Sequence, residues 1–214
     1  MTTWETARKA FDRQLALNLK EFDNHPSHWS YFIDCVSAIK KKINRVVDVG
    51  CGIGAYYALC KKHFPELKYV GIDYSPYAIS LAMTHWNHTS FLTLDYKELS
   101  PRYFTSSDLL VANALCDVLD NGDECLDFIL GLDVPYVMLQ RVKLTDKPSF
   151  YKRYKAYRQV DTVEFYHNKE TLFNITVKHN YVSLFDTHEK KINSYNIFLM
   201  KNPFNITRES IDEQ

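Results

Sequence analysis

The stretch Val46 to Leu59, VVDVGCGIGAYYAL, constrains this chain more than any other. An apolar strand ends at Val49. Three glycines follow at alternate positions (Gly50, Gly52, Gly54), and a helical pattern starts at Ala55. Glycine lets the backbone adopt positive φ and pass close to a ligand. The same turn exposes the N–H groups that open a helix, a site suited to a nucleotide-like ligand. The glycines gain meaning from the strand before them and the helix after them. The next apolar run, Lys68 to Ile72, delivers Asp73 about 20 residues further on, where a carboxylate can accept both hydroxyls of a ribose. The plainer role for Asp73 is a strand-end cap of the following helix.

The rest of the chain continues the alternation. Residues 4–22 read as a helix with Ala7, Phe11, Leu15, Leu19 and Phe22 on one face. Asn24-His-Pro-Ser breaks it. Ser27 or Ser30 can cap a second helix to about Lys42, with Phe32, Val36 and Ile39 aligned. Beyond Asp73, Ser75-Pro76 opens a helix to about Trp86. Strands follow at 90–94, 108–112 and 134–140, with a helix over 124–131 between the last two. Asn168 caps a helix over 169–179, and strands 182–187 and 195–200 form an antiparallel hairpin around a polar turn. This predicts an α/β fold: a doubly wound seven-stranded sheet of five parallel βα units closed by a final antiparallel strand, with two N-terminal helices. The expected division is a helical cap, residues 1–42, and a ligand-binding domain, 43–214, carrying a substrate-side insert over 141–167.

Charge and cysteine usage narrow the function. Lys and Arg number 26, matched by 26 Asp and Glu, which argues against a dedicated nucleic-acid binder. The tract 141–158 is locally basic, with Arg141, Lys143, Lys147, Lys152, Arg153, Lys155 and Arg158 against Asp146. It reads either as a solvated helix face with neighbouring loops or as a surface for an anionic substrate or partner. Five cysteines without a CxxC pair indicate reduced, intracellular usage. The start, MTTWETARKAFDRQ, lacks the apolar stretch of a signal peptide, and no apolar run is long enough for a membrane span. The expected location is cytoplasmic, with a small-molecule substrate, no membrane, no stable nucleic-acid partner and an open oligomeric state. The eight histidines are scattered, so no metal site is expected.

A dinucleotide is the rival ligand for the glycine turn. Its fingerprint is G-x-G-x-x-G, and Ala55 stands where the third glycine would be; alanine can replace that glycine, so spacing alone leaves the rival open. The motif Asp48-Val-Gly50-Cys-Gly52-Ile-Gly54 resembles the first motif of the class I S-adenosylmethionine-dependent methyltransferases. Thr93-Leu94-Asp95-Tyr96 is similar to the third-strand motif, and 108–119 to the fourth. The resemblance covers about residues 45–203. It implies S-adenosylmethionine as cofactor, with Asp48, Gly50, Cys51, Gly52 and Gly54 around its amino acid end. It further implies Asp73 on the ribose, Tyr74 beside the adenine, Asp95 and Tyr96 at the adenine amino group, and Asn113 facing cofactor and substrate. Tyr136-Val-Met-Leu-Gln140, Leu144-Thr-Asp146 and Ser149-Phe150, with the Tyr-rich insert, also resemble a group of uncharacterised methyltransferases. Some of those are linked to bacterial surface-polysaccharide pathways, which leans the substrate towards a sugar or another polar metabolite.

The expected reaction is methyl transfer to an O or N of a small molecule. The alternatives are a peptide, protein or RNA acceptor, or a non-catalytic cofactor-binding interaction protein. Asn113-Ala-Leu-Cys116 stands where methyltransferases acting on planar amide or adenine nitrogens carry an Asn-Pro-Pro-Tyr-like tetrad. Ligands of open α/β sheets lie beyond the carboxyl ends of the strands. That selects Asp117 and Arg141, with Tyr154, Tyr157, Tyr166 and His167 from the insert and Trp29 and Tyr31 from the N-terminal helices. His167 is the favoured base because histidine titrates near neutrality; Asp117 is the second candidate. Helix-start packing for His167, turn capping for Asp117 and ordinary packing for the tyrosines are the plainer roles.

Overall fold

The computed structural model describes Trp4 and residues 7–203. Residues 204–214, the end of the expected 43–214 domain, lie outside the described residues. In chain order the elements are α1 (Arg8–Glu21), α2 (Ser27–Ile39), β1 (Arg45–Val49), α3 (Ala55–His63), β2 (Lys68–Asp73), α4 (Pro76–Trp86), β3 (Phe91–Thr93), β4 (Asp108–Asn113) and α5 (Gly122–Gly131). Then come β5 (Tyr136–Thr145), β6 (Phe150–Ala156), β7 (Val160–Asn168), α6 (Lys169–Lys178), β8 (Tyr181–Glu189) and β9 (Ser194–Lys201).

The main sheet runs β3-β2-β1-β4-β5-β9-β8. Its first five strands are parallel, and β9 alone runs against β5 and β8. This is the doubly wound sheet with one reversed strand that the pattern predicts. Strand residues alternate between two apolar layers. Val46, Leu109, Met138 and Phe198 pack under α2, α3 and α4, while Val47, Leu110, Val137 and Leu199 pack under α5 and α6. Burial on both faces explains why these strands read as unbroken apolar runs. Ser75 caps α4 and Asn168 caps α6, each accepting a backbone N–H one turn on.

Three expectations are corrected. Neither Ser27 nor Ser30 caps α2: Pro26 holds the cap position, and there is no side-chain cap bond. The basic insert is not a helix face but a β-hairpin, β6–β7, so the described residues form nine strands rather than the expected seven. Its period-two alternation was masked by long Lys, Arg and Tyr side chains that are mostly outside the core. β5 is also longer than expected. Its first half pairs with β4 and β9; its last residues, Lys143 to Thr145, pair with Tyr166 to Asn168 of β7. The two halves meet at an irregularity between Leu139 and Val142, where Arg141 has φ 63.

α1 follows the apolar stripe only in part. Ala7 and Phe11 are buried, whereas Leu19 is exposed. With Ile53, Ala78, Ala156 and Val160, its buried residues form a third, smaller cluster. That cluster ties α1 to the glycine turn, to α4 and to the β6–β7 turn, placing the helix across the carboxyl ends of the strands. Among the described residues, no helix is long and apolar enough to cross a membrane.

Candidate functional site

One cavity of about 710 Å³ opens over the carboxyl ends of β1, β2, β4 and β5. That is the size range of small-molecule sites. At one end lies the glycine turn. Gly50, Gly52 and Gly54 have φ 77, 53 and 78, a region that disfavours side chains. The turn is pinned from β2: the Gly52 N–H donates to Asp73 Oδ2 at 2.9 Å, and the Ser75 N–H donates to Asp73 Oδ1 at 2.9 Å. Asp73 thus holds Ser75, the residue that caps α4, without capping the helix itself, and the same contacts aim its carboxylate along the turn. Each oxygen keeps a further lone pair for a ligand hydroxyl. Burial raises the Asp73 carboxyl, and its two backbone donors oppose that shift.

Asp48 sits beneath the turn, 1% exposed, and accepts the Tyr69 hydroxyl at 2.7 Å. Burial pushes it up to about 7, with the Tyr69 hydrogen bond opposing and the Asp73 charge adding. Cys51 is buried, with its thiol held well above the usual range by burial, so it lines the site as a thiol. Asp95 faces the same cavity and closes a capping box with Glu98. Tyr74, Tyr96 and Asn113 complete this end, and the buried Asn113 Oδ1 has no hydrogen-bond partner. Gly54 differs from its neighbours. It does not line the cavity; a Cβ there would meet the Phe91 ring at 2.6 Å. Its expected cofactor role is thus corrected to packing of α3 against β3.

The other end is built from four elements. Trp29 and His28 come from α2, Arg141 from β5, Tyr154 and Tyr157 from the β6–β7 hairpin, and Glu189 from the end of β8. The Tyr56 hydroxyl donates to Gln140 Oε1 at 2.5 Å, and Gln140 Nε2 donates to the His28 carbonyl at 2.6 Å. This chain fixes the start of α2 to β5 beside Arg141. His28 Nδ1 lies 3.9 Å from Glu189 Oε2, and neither atom has a hydrogen-bond partner. Burial, with the Arg141 charge, pushes His28 down to about 3, so its imidazole is neutral at physiological pH.

The remaining candidates fall elsewhere. His167 is 0% exposed; its Nδ1 meets Asp123 Oδ1 at 2.7 Å, and its ring packs on Phe165. Sealed off from the cavity, it is not placed as a base. Asp117 is buried and does not line the cavity; burial pushes it up to about 6, with the Arg141 charge opposing. The Tyr31 hydroxyl donates to the Phe185 carbonyl at 2.9 Å, locking α2 to β8. Tyr166 donates to Glu164 and stacks on Phe150 at 4.8 Å, away from the cavity. Asp117 was read as facing the ligand from its strand end, His167 and Tyr166 from the insert and Tyr31 from the N-terminal helices. Pairing holds the last three elsewhere, and Asp117 is buried.

Sequence reasoning missed the α1 wall. Phe11, Gln14, Asn18 and Glu21 line the cavity, and their spacing of three, four and three is itself a helical face. The polar half of that face went unread beside the apolar stripe. Gln14 Oε1 is buried without a partner, close over Gly52. The β8–β9 turn, which supplies Glu189, Lys191 and Ile192, carried no recognisable signal.

Comparison with known proteins agrees with this geometry. Residues 47–135 match the family described as a methyltransferase domain. Over 89 residues the chain is 30% identical to a trans-aconitate 2-methyltransferase of Methylobacterium radiotolerans, covering 42% of this chain and 34% of that protein. Over 99 residues it is 29% identical to the Escherichia coli protein of that name, covering 46% and 38%. The aligned region thus spans little more than a third of these relatives. Among solved structures, an amino pentose methyltransferase of Micromonospora echinaspora with S-adenosylmethionine bound superposes with TM-score 0.61 at 12% identity, covering 82% of this chain and 90% of that one. The 1,6-didemethyltoxoflavin-N1-methyltransferase of Burkholderia thailandensis gives 0.59 at 15% identity, covering 92% and 88%. At these identities the structural likeness establishes the fold.

Proposed function

We propose, on the premise that the chain belongs to the class I S-adenosylmethionine-dependent methyltransferase superfamily, that its cavity binds S-adenosylmethionine and directs methyl transfer to an O or N of a small polar molecule. The observation that carries this is the pinned glycine turn, with Gly52 held to Asp73 2.9 Å away. It opens into the same cavity as the Arg141 and tyrosine end. The residues present fit the cofactor. The turn has no Cβ to obstruct a close approach, Asp73 retains acceptor capacity for ribose, and Asn113 Oδ1 and Gln14 Oε1 are buried acceptors awaiting donors. Asp95 and Tyr96 would hold the adenine, with Tyr74 beside it. When bound, the cofactor would supply an electrophilic methyl group on a sulfonium, with the neutral sulfide as leaving group.

The chain's own residues then have three tasks. Gly50, Gly52 and Asp73 fix the position of the methyl donor, because alignment accounts for much of the rate in such a transfer. Trp29, Tyr154 and Tyr157 surround the acceptor and exclude water. The helical segment read as residues 1–42 acts as a cap through Gln14, Asn18 and Glu21. His28, neutral beside Glu189, replaces His167 as the imidazole available to the acceptor. A base as weak as His28 orients a hydroxyl better than it ionises one. Acceptors that already offer a lone pair, such as an amine or a carboxylate, therefore suit the site.

The small size of the acceptor follows from the walls. α1 and the β6–β7 turn close over the mouth, with Trp4 edge-on to Tyr157 at 6.1 Å. The basic tract is dispersed, which does not favour a polynucleotide groove: Lys143 pairs with Glu164 at 3.3 Å and Lys155 with Asp161 at 3.2 Å. The named relatives act on trans-aconitate, and one structural neighbour on an amino pentose; both are small polar metabolites. Calorimetric titration with S-adenosylmethionine and S-adenosylhomocysteine tests the reading. Dissociation constants of roughly 1–100 μM are expected. Absence of heat at millimolar ligand would overturn it.

A further inference from the structure

Arg141 is a cation with carboxylates nearby but none in direct contact. Its guanidinium has no hydrogen-bond or ion-pair partner among the described residues, although it lines the cavity and is half-buried. Three other cations of the same tract have partners, Lys143 in Glu164, Lys155 in Asp161 and Lys152 in the Phe150 and Tyr166 rings, while Lys147, Arg153 and Arg158 are exposed to water. Asp117 and Glu21 feel its charge, yet neither reaches the guanidinium, so its N–H donors are left for a ligand. The backbone is also arranged to keep it there. Arg141 has φ 63, which an L side chain rarely adopts, at the point where β5 breaks register with β9. Such irregularities re-aim a side chain. The strained conformation is held by a buried contact, the Arg141 N–H donating to Asn196 Oδ1 at 3.2 Å, with Asn196 only 1% exposed.

We propose that Arg141 anchors a carboxylate of the methyl acceptor, so that the acceptor is a small organic acid seated against Trp29, Tyr154 and Tyr157. This rests on the cofactor reading above. A planar guanidinium matches a carboxylate through two parallel N–H···O bonds. Glu21 and Glu189 line the same end, and they favour a singly charged group on Arg141 over a phosphate dianion.

The test uses the full chain saturated with S-adenosylhomocysteine. Saturation itself is measured first, so failure of the cofactor reading appears as no binding before any acid is added. Benzoate and phenylacetate are then titrated against their primary amides, and trans-aconitate against its trimethyl ester. Phenyl phosphate serves as the alternative anion. At least one acid is expected to bind about tenfold or more tightly than its neutral analogue. Arg141→Gln is expected to abolish that preference while S-adenosylhomocysteine affinity stays within about twofold, and Arg141→Lys to restore part of it. The proposal is overturned if no acid outbinds its neutral analogue, if Arg141→Gln keeps the preference, or if phenyl phosphate outbinds every acid.

Discussion

The two ends of the cavity are built by different means. The glycine-turn end is made of contiguous sequence: Asp48 to Gly52 comes from one strand–turn–helix unit, and Asp73 and Asp95 from the next two strand ends. Backbone groups line much of it, and hydrogen bonds hold them, such as Gly52 to Asp73 at 2.9 Å. The Arg141 end is assembled from α2, β5, the β6–β7 hairpin and the end of β8. Side chains do the work there, and several of their polar atoms lack partners, His28 Nδ1 and Glu189 Oε2 among them. Both ends leave buried polar atoms for a ligand, Asn113 Oδ1 and Gln14 Oε1 at the first as well as His28 Nδ1 and Glu189 Oε2 at the second. What distinguishes the first is a backbone already pinned by hydrogen bonds. Changes at the first end should act on cofactor affinity, and changes at the second on acceptor affinity and turnover.

Asp73→Ala should break the first end most severely. It removes the ribose acceptor and unpins Gly52 and Ser75 together. Hydrogen bonds to a charged group contribute about 1.5–3 kcal/mol each, so cofactor affinity should fall at least about 100-fold by calorimetry. Gly54→Ala should lower stability by about 3 kcal/mol in denaturant unfolding, combining positive-φ strain with the 2.6 Å contact to Phe91. The folded fraction should still bind cofactor, in keeping with a packing role. Similar loss of affinity without loss of stability would restore Gly54 to the ligand site.

Smaller effects sharpen the contrast. Tyr157 and Arg158 are the central residues of the β6–β7 turn, both at positive φ, where a tight hairpin turn normally uses Asn-Gly. Replacing them by Asn-Gly should stabilise the protein by about 1–2 kcal/mol and leave cofactor affinity unchanged. Turnover should fall, because Tyr157 leaves the acceptor wall.

Asp48 gives a pH signature for the cofactor end. Its folded value is about 7 against an ordinary 3.8. The unfolded chain ionises first, so Asp48 lowers the stability of the cofactor-free protein progressively as pH rises from 3.8 to about 7, with no further change above. Ionised Asp48 also favours a sulfonium over a neutral sulfide. The affinity ratio of S-adenosylmethionine to S-adenosylhomocysteine should therefore rise through about pH 7, on the order of tenfold at most. A flat ratio would show that the Asp48 charge is not felt at the sulfur.

The same contrast explains what could be read from the sequence. The parallel βα units, the reversed last strand and the glycine turn were legible because they depend on apolar periodicity and on residues close together in the chain. The α4 and α6 caps were legible for the same reason. The acceptor end was only partly legible. Arg141 was found because strand ends point at ligands, Tyr154 and Tyr157 because they lie in the insert that follows, and Trp29 because it lies on the N-terminal helices. His167 and Tyr166 lie in the same insert and are turned away by Asp123 and Glu164. Those pairings join residues 44 apart and two apart, and only the fold decides between them. The hairpin itself was hidden because strand alternation is hard to see when both faces carry long polar side chains. Gln14 and Glu21 could have been found by asking what the polar flank of α1 faces.

The most direct measurement is an experimental structure of the protein with S-adenosylhomocysteine. The ribose hydroxyls are expected on Asp73, with the amino acid end at Gly50–Gly52 and the sulfur turned towards the space between Asn113 and Arg141. A ligand bound elsewhere, or one whose ribose avoids Asp73 and whose sulfur faces away from Arg141, would contradict the division of the cavity into a cofactor end and an acceptor end.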